Sequence, residues 1–368
     1  MDIFLFIIWS SAKKQKEQII EDIRKSFIVL KVIEVAWSVE QFPNNLSRFY
    51  GQKLPKNSFK ERICGLDPFW LVIVEDKNPV YELRKTTRGI DELVNINMFD
   101  KKSIYRKWTA EAGEKVHSKI HGTNSLEETR HDLALLLGLS IEDFLKNEDS
   151  IPDHWNHDIV GTNGWESLNQ LFYILNNTCR YVVLRNFEGL PESFHVGSHE
   201  DIDILTDNYN EILHIAKATP VFKQNYRVQC LTKVDGKNVQ FDFRYVGDGY
   251  YDKKWEKEIL DNRIISNDVY IPDSDNYKYM ILYHALIHKK FIASDYIERL
   301  NSMFGENNWN LDTLTAFMNR NNYSYCEPVD LSVGFQHKKV DAVISSKRKT
   351  MLFIRTTKKK IKTFIFRK

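Results

Sequence analysis

The sequence predicts an α/β (α+β) protein, with a small N-terminal α/β domain, a second domain built on a mixed sheet, and a helical subdomain towards the C-terminus. Short apolar runs bounded by polar residues, such as 69–74, have the length of buried strands. Longer segments, such as 126–139, carry apolar residues at helical spacing. The chain has 368 residues, which is too long for one ordinary core and predicts two domains.

The N-terminal domain opens with an apolar run over residues 2–9 that is too short to span a bilayer and is expected to be a buried strand. A helical pattern over 12–27 and a second apolar run over 28–37 follow. This order predicts a pair of parallel strands joined by a crossover helix. Residues 80–84 are expected to pair with strand 69–74 across a short turn.

The densest polar stretch of this domain lies at 116–132. Ser125 and Glu128 fit a capping box that starts a Leu-rich helix, which is a structural interpretation. A second hypothesis is that four polar side chains meet at a helix N-terminus, where free N–H groups favour a phosphate or carboxylate. They are His117, His121, Asn124 and Arg130. The two histidines are also spaced for a metal, although the sequence offers no third ligand.

Two acids interrupt the apolar run 201–205. Because a strand has period two, Asp201 and Asp203 should project from one face while Ile202 and Ile204 enter the opposite layer. Such a pair repels unless a cation lies between the carboxylates, and hard oxygen ligands suit Mg²⁺. The sequence therefore predicts half of a metal site here.

A third carboxylate is predicted on a later hairpin. Residues 226–234 and 238–246 read as strands joined by Asp235-Gly236, a strong hairpin signal. Asp242 is the lone acid of the second strand. In the turn that follows, Asp248 and Asp252 are expected to be solvated, with a position at the rim of the site as the alternative.

The succession of strand, helix, strand with Asp-x-Asp, and later strand with one more acid resembles the nucleotidyltransferase superfamily of the DNA polymerase beta type. The resemblance covers about 165–265 and rests on Leu-Arg-Asn at 184–186, on Asp201-Ile202-Asp203 and on Asp242. It is similar in particular to a poorly characterised bacterial branch in which an "LRN" strand precedes "DIDIL". The resemblance implies that Asp201, Asp203 and Asp242 hold two Mg²⁺ ions while an NMP is transferred from an NTP with loss of pyrophosphate.

The sequence departs from this superfamily at the phosphate-binding turn. The usual Gly-Ser or Gly-Gly after the first strand is replaced by Arg185-Asn186, and Gly197-Ser198 lies very close to Asp201. The planar fork of Arg185 is suited to hold phosphate oxygens instead. The residues expected to bind nucleotide phosphates are Arg185, Asn186, Ser198 and Lys289.

Charge is distributed unevenly along the chain. Residues 347–368 carry ten Lys or Arg and no acid, so a chain of net charge +2 leaves −8 on residues 1–346. An acidic body disfavours nucleic acid as a partner. The acceptor is therefore expected to be a small molecule, with a sugar or alditol phosphate of surface-polysaccharide synthesis as the leading hypothesis. The tail mixes cations with aromatics, which suits an anionic membrane surface, although a simple solvated tail fits equally well.

Four dispersed cysteines without a CxxC pair favour a reducing cytoplasm, with the tail peripheral to the inner face of the membrane. Two alternatives to a nucleotidyltransferase stay open. One is a LicD-like phosphotransferase, which usually shows a Gly-rich strand end that is absent here. The other is a catalytically inactive nucleotide-binding or antitoxin-like module. The predicted organisation is an N-terminal domain 1–148, a linker 149–164, a core 165–270, a helical subdomain 271–345 and a basic tail 346–368.

Overall fold

The computed structural model describes residues 2–86, 89–111, 119–194, 201–224 and 226–343. His117, Ser198 and the basic tail lie outside the described residues. The strands are β1 Asp2–Ile8, β2 Ile28–Val35, β3 Phe69–Asp76, β4 Tyr81–Lys85, β5 Asp91–Asn95, β6 Ile120–Gly122, β7 His154–Trp155, β8 Tyr181–Val183, β9 Asp201–Thr206, β10 Thr219–Pro220, β11 Gln229–Val234, β12 Lys237–Tyr245, β13 Ile264–Ser266 and β14 Val269–Ile271.

The α-helices are α1 Lys16–Ser26, α2 Phe42–Phe49, α3 Phe59–Cys64, α4 Ile96–Trp108, α5 Leu126–Leu137, α6 Ile141–Asn147, α7 Leu168–Thr178, α8 Tyr209–Ile215, α9 Lys253–Asp261, α10 Ser274–Tyr283, α11 Ser294–Phe304 and α12 Leu311–Arg320. Short 3₁₀ segments lie at Ser10–Gln15 and Glu148–Ser150, and a π-helical segment at His284–His288 continues α10. This mixture of helices and sheets confirms the predicted fold class. Within the described ranges, no helix combines the length and apolarity needed to cross a bilayer.

The first sheet has the strand order β6-β1-β3-β2-β7. Strand β3 pairs antiparallel with β1 on one side and with β2 on the other. The predicted parallel pair is therefore wrong in one respect: β1 and β2 run in the same direction, but β3 lies between them. Strand β3 is almost wholly buried, which explains why this later apolar run takes the central position.

The expected pairing of residues 80–84 with 69–74 is also wrong. Strand β4 pairs with β5 in a separate two-stranded sheet, with Leu83 opposite Leu93. Both edges of β3 are already bonded to β1 and β2, so no backbone groups of β3 are left for β4.

The segment predicted as a linker is packed against the N-terminal sheet. Strand β7 pairs parallel with β2, and Ile151 and Ile159 are buried. The buried guanidinium of Arg48 donates to the Val160 carbonyl at 2.6 Å and to Thr162 Oγ1 at 3.0 Å. The connection is therefore ordered by its own contacts, and its short strand extends the sheet.

The second sheet has the strand order β10-β11-β12-β9-β8, in which only the β12–β9 pair is parallel among the described strands. Asp235 and Gly236 both adopt positive φ, 48° and 70°, so the predicted hairpin is confirmed. Ile202 and Phe241 point into a core that is continuous with the interior of the first sheet. Residues of opposite parity on β9 and β12 therefore face the other side.

Helices α9 to α12 cover part of that other side and form a second core around Trp255 and Tyr283. Leu205 of β9 and Leu184 after β8 belong to this core. Helices α10 to α12 lie within the range 271–345 that was predicted as a helical subdomain, and α9 precedes this range along the chain. The acidic residues of β9 and β12 share the face of the sheet that the helices cover.

Candidate metal centre

Three carboxylates meet on the two parallel strands. Asp203 of β9 lies directly opposite Asp242 of β12, and Asp201 lies opposite Gln240, two residues earlier on both strands. One carboxylate oxygen from each of Asp201, Asp203 and Asp242 lies within 4.8 Å of the others. The period-two pattern of both strands therefore assembles the predicted triad, although nothing in the sequence specifies the register between them.

The environment of this triad disfavours negative charge. Asp203 is buried at 1% exposure, while Asp201 and Asp242 are partly exposed. Burial, reinforced by the neighbouring carboxylate of Asp203, raises the pKa of Asp242 to about 6. Burial also raises the pKa of Asp203, against the opposing effect of the Arg185 charge. Asp242 Oδ1 is buried without a hydrogen-bond partner. An all-oxygen donor set with an unmatched buried oxygen fits a hard divalent cation such as Mg²⁺.

Arg185 is the arginine that donates a short hydrogen bond to the triad. Strand β8 pairs with β9, and the Leu184 N–H continues that pairing by donating to the Asp203 carbonyl at 2.8 Å. This bond places the side chain of the next residue, Arg185, beside the acids. Arg185 Nη2 donates to Asp203 Oδ1 at 2.7 Å. Burial lowers the pKa of Arg185, but the Asp203 carboxylate and the neighbouring tyrosines together outweigh this effect and leave that pKa well above its usual value. Arg185 therefore lies beside the acids, and its expected role in holding phosphate oxygens stays a prediction.

The other two described phosphate-binding candidates lie at the rim. Asn186 follows Arg185 in an exposed position, with a left-handed φ of 55°. Lys289 is exposed directly after the π-helical segment. Its positive charge opposes the rise in the pKa of Asp203, so the ammonium group acts on the triad electrostatically.

A second arginine behind the triad was missed from the sequence. Arg244 lies on the same face of β12 as Asp242 and is 3% exposed. Its Nη2 lies 3.5 Å from Asp242 Oδ2, and its Nη1 lies 3.6 Å from Asp248 Oδ2. The predicted solvation of Asp248 is wrong, because this carboxylate is buried at 2% exposure opposite Arg244. The sequence feature that could have predicted this contact is the spacing of Asp242 and Arg244, which places both on one face of the strand.

Two histidines lie deeper in the helical subdomain. His284 and His288 are each 4% exposed. Their Nδ1 atoms lie 3.4 Å apart, and both Nε2 atoms are buried without a hydrogen-bond partner. Burial lowers the pKa of both imidazoles well below the usual value, and the charges of Arg185 and Arg244 add to the effect. Both rings are therefore neutral.

The anion site predicted at the start of α5 is not formed by those of its residues that the structure describes. His121 Nε2 lies 2.7 Å from Asp132 Oδ2, and Asn124 Oδ1 accepts a hydrogen bond from Lys102. The capping box is confirmed, because Ser125 Oγ accepts from the Glu128 N–H at 3.2 Å. Glu128 Oε2 in turn accepts from the Asn124 N–H at 2.6 Å. Ser125 and Glu128 thus satisfy backbone N–H groups at the start of this helix.

Arg130, the last described member of that predicted site, points elsewhere. Its Nη2 lies 4.0 Å from Glu142 Oε1, and half of its side chain is exposed. The polar side chains that the sequence suggested for a ligand therefore contact neighbouring protein groups instead. The acidic triad is the cluster with metal-ligand geometry among the described residues.

The triad and its arginine combine two chemical capacities. The carboxylates can bind a hard cation, and the adjacent guanidinium can donate to the oxygens of an anion that the cation attracts. Comparison with known protein families and with curated proteins finds no match for this chain.

Proposed function

We propose that this protein is a Mg²⁺-dependent nucleotidyltransferase that transfers an NMP from an NTP to a hydroxyl or phosphate of a small acceptor. The observation that carries the proposal is the convergence of Asp201, Asp203 and Asp242 within 4.8 Å beside Arg185. A triphosphate would be repelled by three carboxylates unless cations neutralised them. A cation site next to a guanidinium therefore supports a polyphosphate substrate.

The residues have separate roles in this proposal. Asp201, Asp203 and Asp242 would hold the metal, and the superfamily resemblance favours two ions. Bound Mg²⁺ would neutralise phosphate charge and lower the pKa of an acceptor hydroxyl. Arg185 donates to the phosphates, which orients the triphosphate for in-line attack. Lys289, exposed at the rim, adds a positive charge that draws the nucleotide towards the acids.

A small acceptor is favoured over a nucleic acid because residues 1–346 carry a net charge of −8. We propose a sugar or alditol phosphate, as used in surface-polysaccharide synthesis. The N-terminal sheet is proposed to contribute to acceptor recognition. The basic tail is proposed to bring the enzyme to an anionic membrane surface.

The test is an incubation of the purified full chain with each NTP, Mg²⁺ and a panel of sugar phosphates, alditol phosphates, free polyols and short RNA. Pyrophosphate release together with a mass gain of one NMP on an acceptor supports the proposal. Asp203→Asn serves as the inactive control. Release that is equal in wild type and Asp203→Asn would exclude the proposed site. Nucleotide binding with no product for any acceptor would favour the binding-module alternative, and transfer from a phosphocholine donor would favour the LicD-like one.

A further inference from the structure

A chain of hydrogen bonds leads from the acidic triad into the helical subdomain. Arg185 Nη2 donates to Asp203 Oδ1 at 2.7 Å, and Nη1 of the same guanidinium donates to Tyr250 Oη at 2.8 Å. Tyr250 Oη lies 2.8 Å from His284 Nδ1. One guanidinium is thus held at two of its nitrogens, once by the metal centre and once by a buried tyrosine.

Donor chemistry determines the direction of the two bonds made by Arg185, and the direction of the bond to His284 is assigned from them. A guanidinium has only donors, so the tyrosine oxygen accepts from Arg185, and the tyrosine O–H is left to donate. His284 Nδ1 accepts this O–H in the tautomer that has its proton on Nε2, and we assign that tautomer. Burial and the Arg185 charge hold the pKa of His284 well below its usual value, which favours a neutral ring with a single proton.

Packing restrains the middle of the chain. The Tyr250 ring is 1% exposed, with Arg244 Cζ 4.0 Å from its centroid and the His288 ring centroid 4.2 Å away. His284 and His288 belong to the π-helical segment, a local widening that is frequent at functional sites. The tyrosine cannot turn without moving two charged or aromatic neighbours, so its oxygen is a fixed acceptor.

We propose that Tyr250 and His284 are positioning residues, which hold the Arg185 guanidinium beside Asp203 in the orientation that receives a nucleotide phosphate. This inference rests on the proposed function for the identity of the ligand. The two residues act only through Arg185, so their loss should affect nucleotide binding more than metal binding.

The decisive variant is Tyr250→Phe, which removes the hydroxyl and keeps the packed ring. We expect the KM for the NTP to rise by about tenfold, because one charge-assisted hydrogen bond to Arg185 is lost. The affinity for Mg²⁺ alone should change by less than about twofold. Tyr181→Phe is the matched control, since it removes a buried tyrosine hydroxyl that bonds Asn176 Oδ1 at 2.7 Å outside the triad.

His284 offers a rescue series. His284→Leu removes the acceptor for the tyrosine O–H and should reproduce the defect of Tyr250→Phe. His284→Asn can place a side-chain oxygen near the position of Nδ1 and should retain most of the nucleotide affinity. An equal defect in His284→Leu and His284→Asn would point to packing alone and would overturn the positioning role.

A readout without nucleotide separates this inference from the proposed function. In arginine-labelled protein, NMR should show separate, slowly exchanging Nη signals for Arg185, assigned by their disappearance in Arg185→Lys. In Tyr250→Phe the guanidinium of Arg185 should rotate faster, so its separate Nη signals should merge into an averaged signal. If Arg185 is equally restrained in wild type and Tyr250→Phe, the positioning role is overturned. If averaging occurs but no NTP is turned over, the positioning role stands and the proposed function fails.

Discussion

Asp203 and Asp242 lie directly opposite each other on adjacent parallel strands, β9 and β12. Burial raises the pKa of each carboxyl, and a neighbouring carboxylate adds to the rise, Asp203 for Asp242 and Asp201 for Asp203. Arg185 and Arg244 offset part of this repulsion from one side of each acid. The fold therefore holds two carboxylates together despite their repulsion, and a bound cation would reduce that repulsion. Such an arrangement is expected of a binding site and not of a structural ion pair.

The first prediction concerns the ligands themselves. Mg²⁺ binding should be weakened by at least about tenfold in each of three variants, Asp201→Asn, Asp203→Asn and Asp242→Asn. Loss of a residue that only hydrogen-bonds a metal ligand already lowers metal affinity by about tenfold, so loss of a ligand should lower it at least as much. Isothermal titration calorimetry measures the affinity. Asp207→Asn is the matched control, because Asp207 follows the same strand but is 39% exposed and pairs with Arg180 at 3.5 Å. A variant of the triad that binds Mg²⁺ as tightly as this control would not be a ligand.

The second prediction is that Asp242→Asn stabilises the metal-free protein. Folding raises the pKa of Asp242 from 3.8 to about 6, so the ionised form opposes folding. The wild type should lose stability as pH rises from about 4 to 6, because the native state retains the proton longer than the unfolded state. At neutral pH the neutral amide should add about 1–3 kcal/mol to the free energy of unfolding.

Urea denaturation in EDTA checks this second prediction. The variant should be the more stable protein at pH 8, and the two proteins should converge near pH 4. Addition of Mg²⁺ should then stabilise the wild type and leave Asp242→Asn unchanged. A variant that is less stable than wild type at pH 8 in EDTA would show that Asp242 is a structural residue.

The strand faces of the three acids could be predicted from the sequence because period-two alternation is local, whereas the register that places Asp242 opposite Asp203 could not. Asp201 and Asp203 must share a face of any strand, and Asp242 stands alone on its own strand. The hairpin at Asp235-Gly236 and the capping box at Ser125 are likewise encoded within a few residues and are confirmed. Local chemistry therefore predicted the local geometry correctly.

Features that depend on distant residues were not predictable in the same way. The insertion of β3 between β1 and β2 is decided by competition among several apolar strands for the centre of the sheet. Tyr250 and His284 are 34 positions apart, and only the packing of the helical subdomain brings them together. His121 was a candidate ligand in the sequence, but its Nε2 lies 2.7 Å from Asp132 Oδ2, a contact that depends on how α5 packs beside β6.

The third prediction concerns Arg48, which binds the segment between the two sheets. Its guanidinium is 3% exposed and donates to Val160 O, to Thr162 Oγ1 and to Ile215 O, the last at 3.0 Å. Lysine has one charged nitrogen and cannot match this fork. Arg48→Lys should therefore reduce the free energy of unfolding by about 2–4 kcal/mol.

Urea denaturation of the full chain measures the effect of Arg48→Lys. Arg62→Lys is the control, because Arg62 is exposed and its Nη1 donates to the Asn57 carbonyl at 2.8 Å. The control should stay within about 0.5 kcal/mol of wild type. Equal stabilities of the two variants would mean that the segment is held without Arg48.

The fourth prediction concerns Glu256, which supports the turn that carries Asp248 and Tyr250. Glu256 is fully buried, and its carboxyl oxygens accept from the N–H groups of Gly247 at 2.6 Å and Tyr251 at 3.0 Å. Burial, together with the nearby Asp248 carboxylate, raises the pKa of Glu256 to about 8. The side chain is therefore largely protonated at neutral pH, and glutamine is its closest uncharged substitute.

Glu256→Gln should cost about 1–2 kcal/mol at pH 7, because the amide NH2 cannot accept one of the two N–H bonds, whereas Glu256→Ala should cost about 2–4 kcal/mol because both buried N–H groups lose their acceptor. The native state keeps the proton of Glu256 up to a higher pH than the unfolded state, whose pKa is near 4.5. The wild type should therefore lose up to about 1.4 kcal/mol per pH unit through this group between pH 4.5 and 8. Denaturation across that range should show a shallower slope in Glu256→Gln. Equal slopes would mean that Glu256 is already ionised in the folded protein, and the turn behind the triad would then be held by a buried charge.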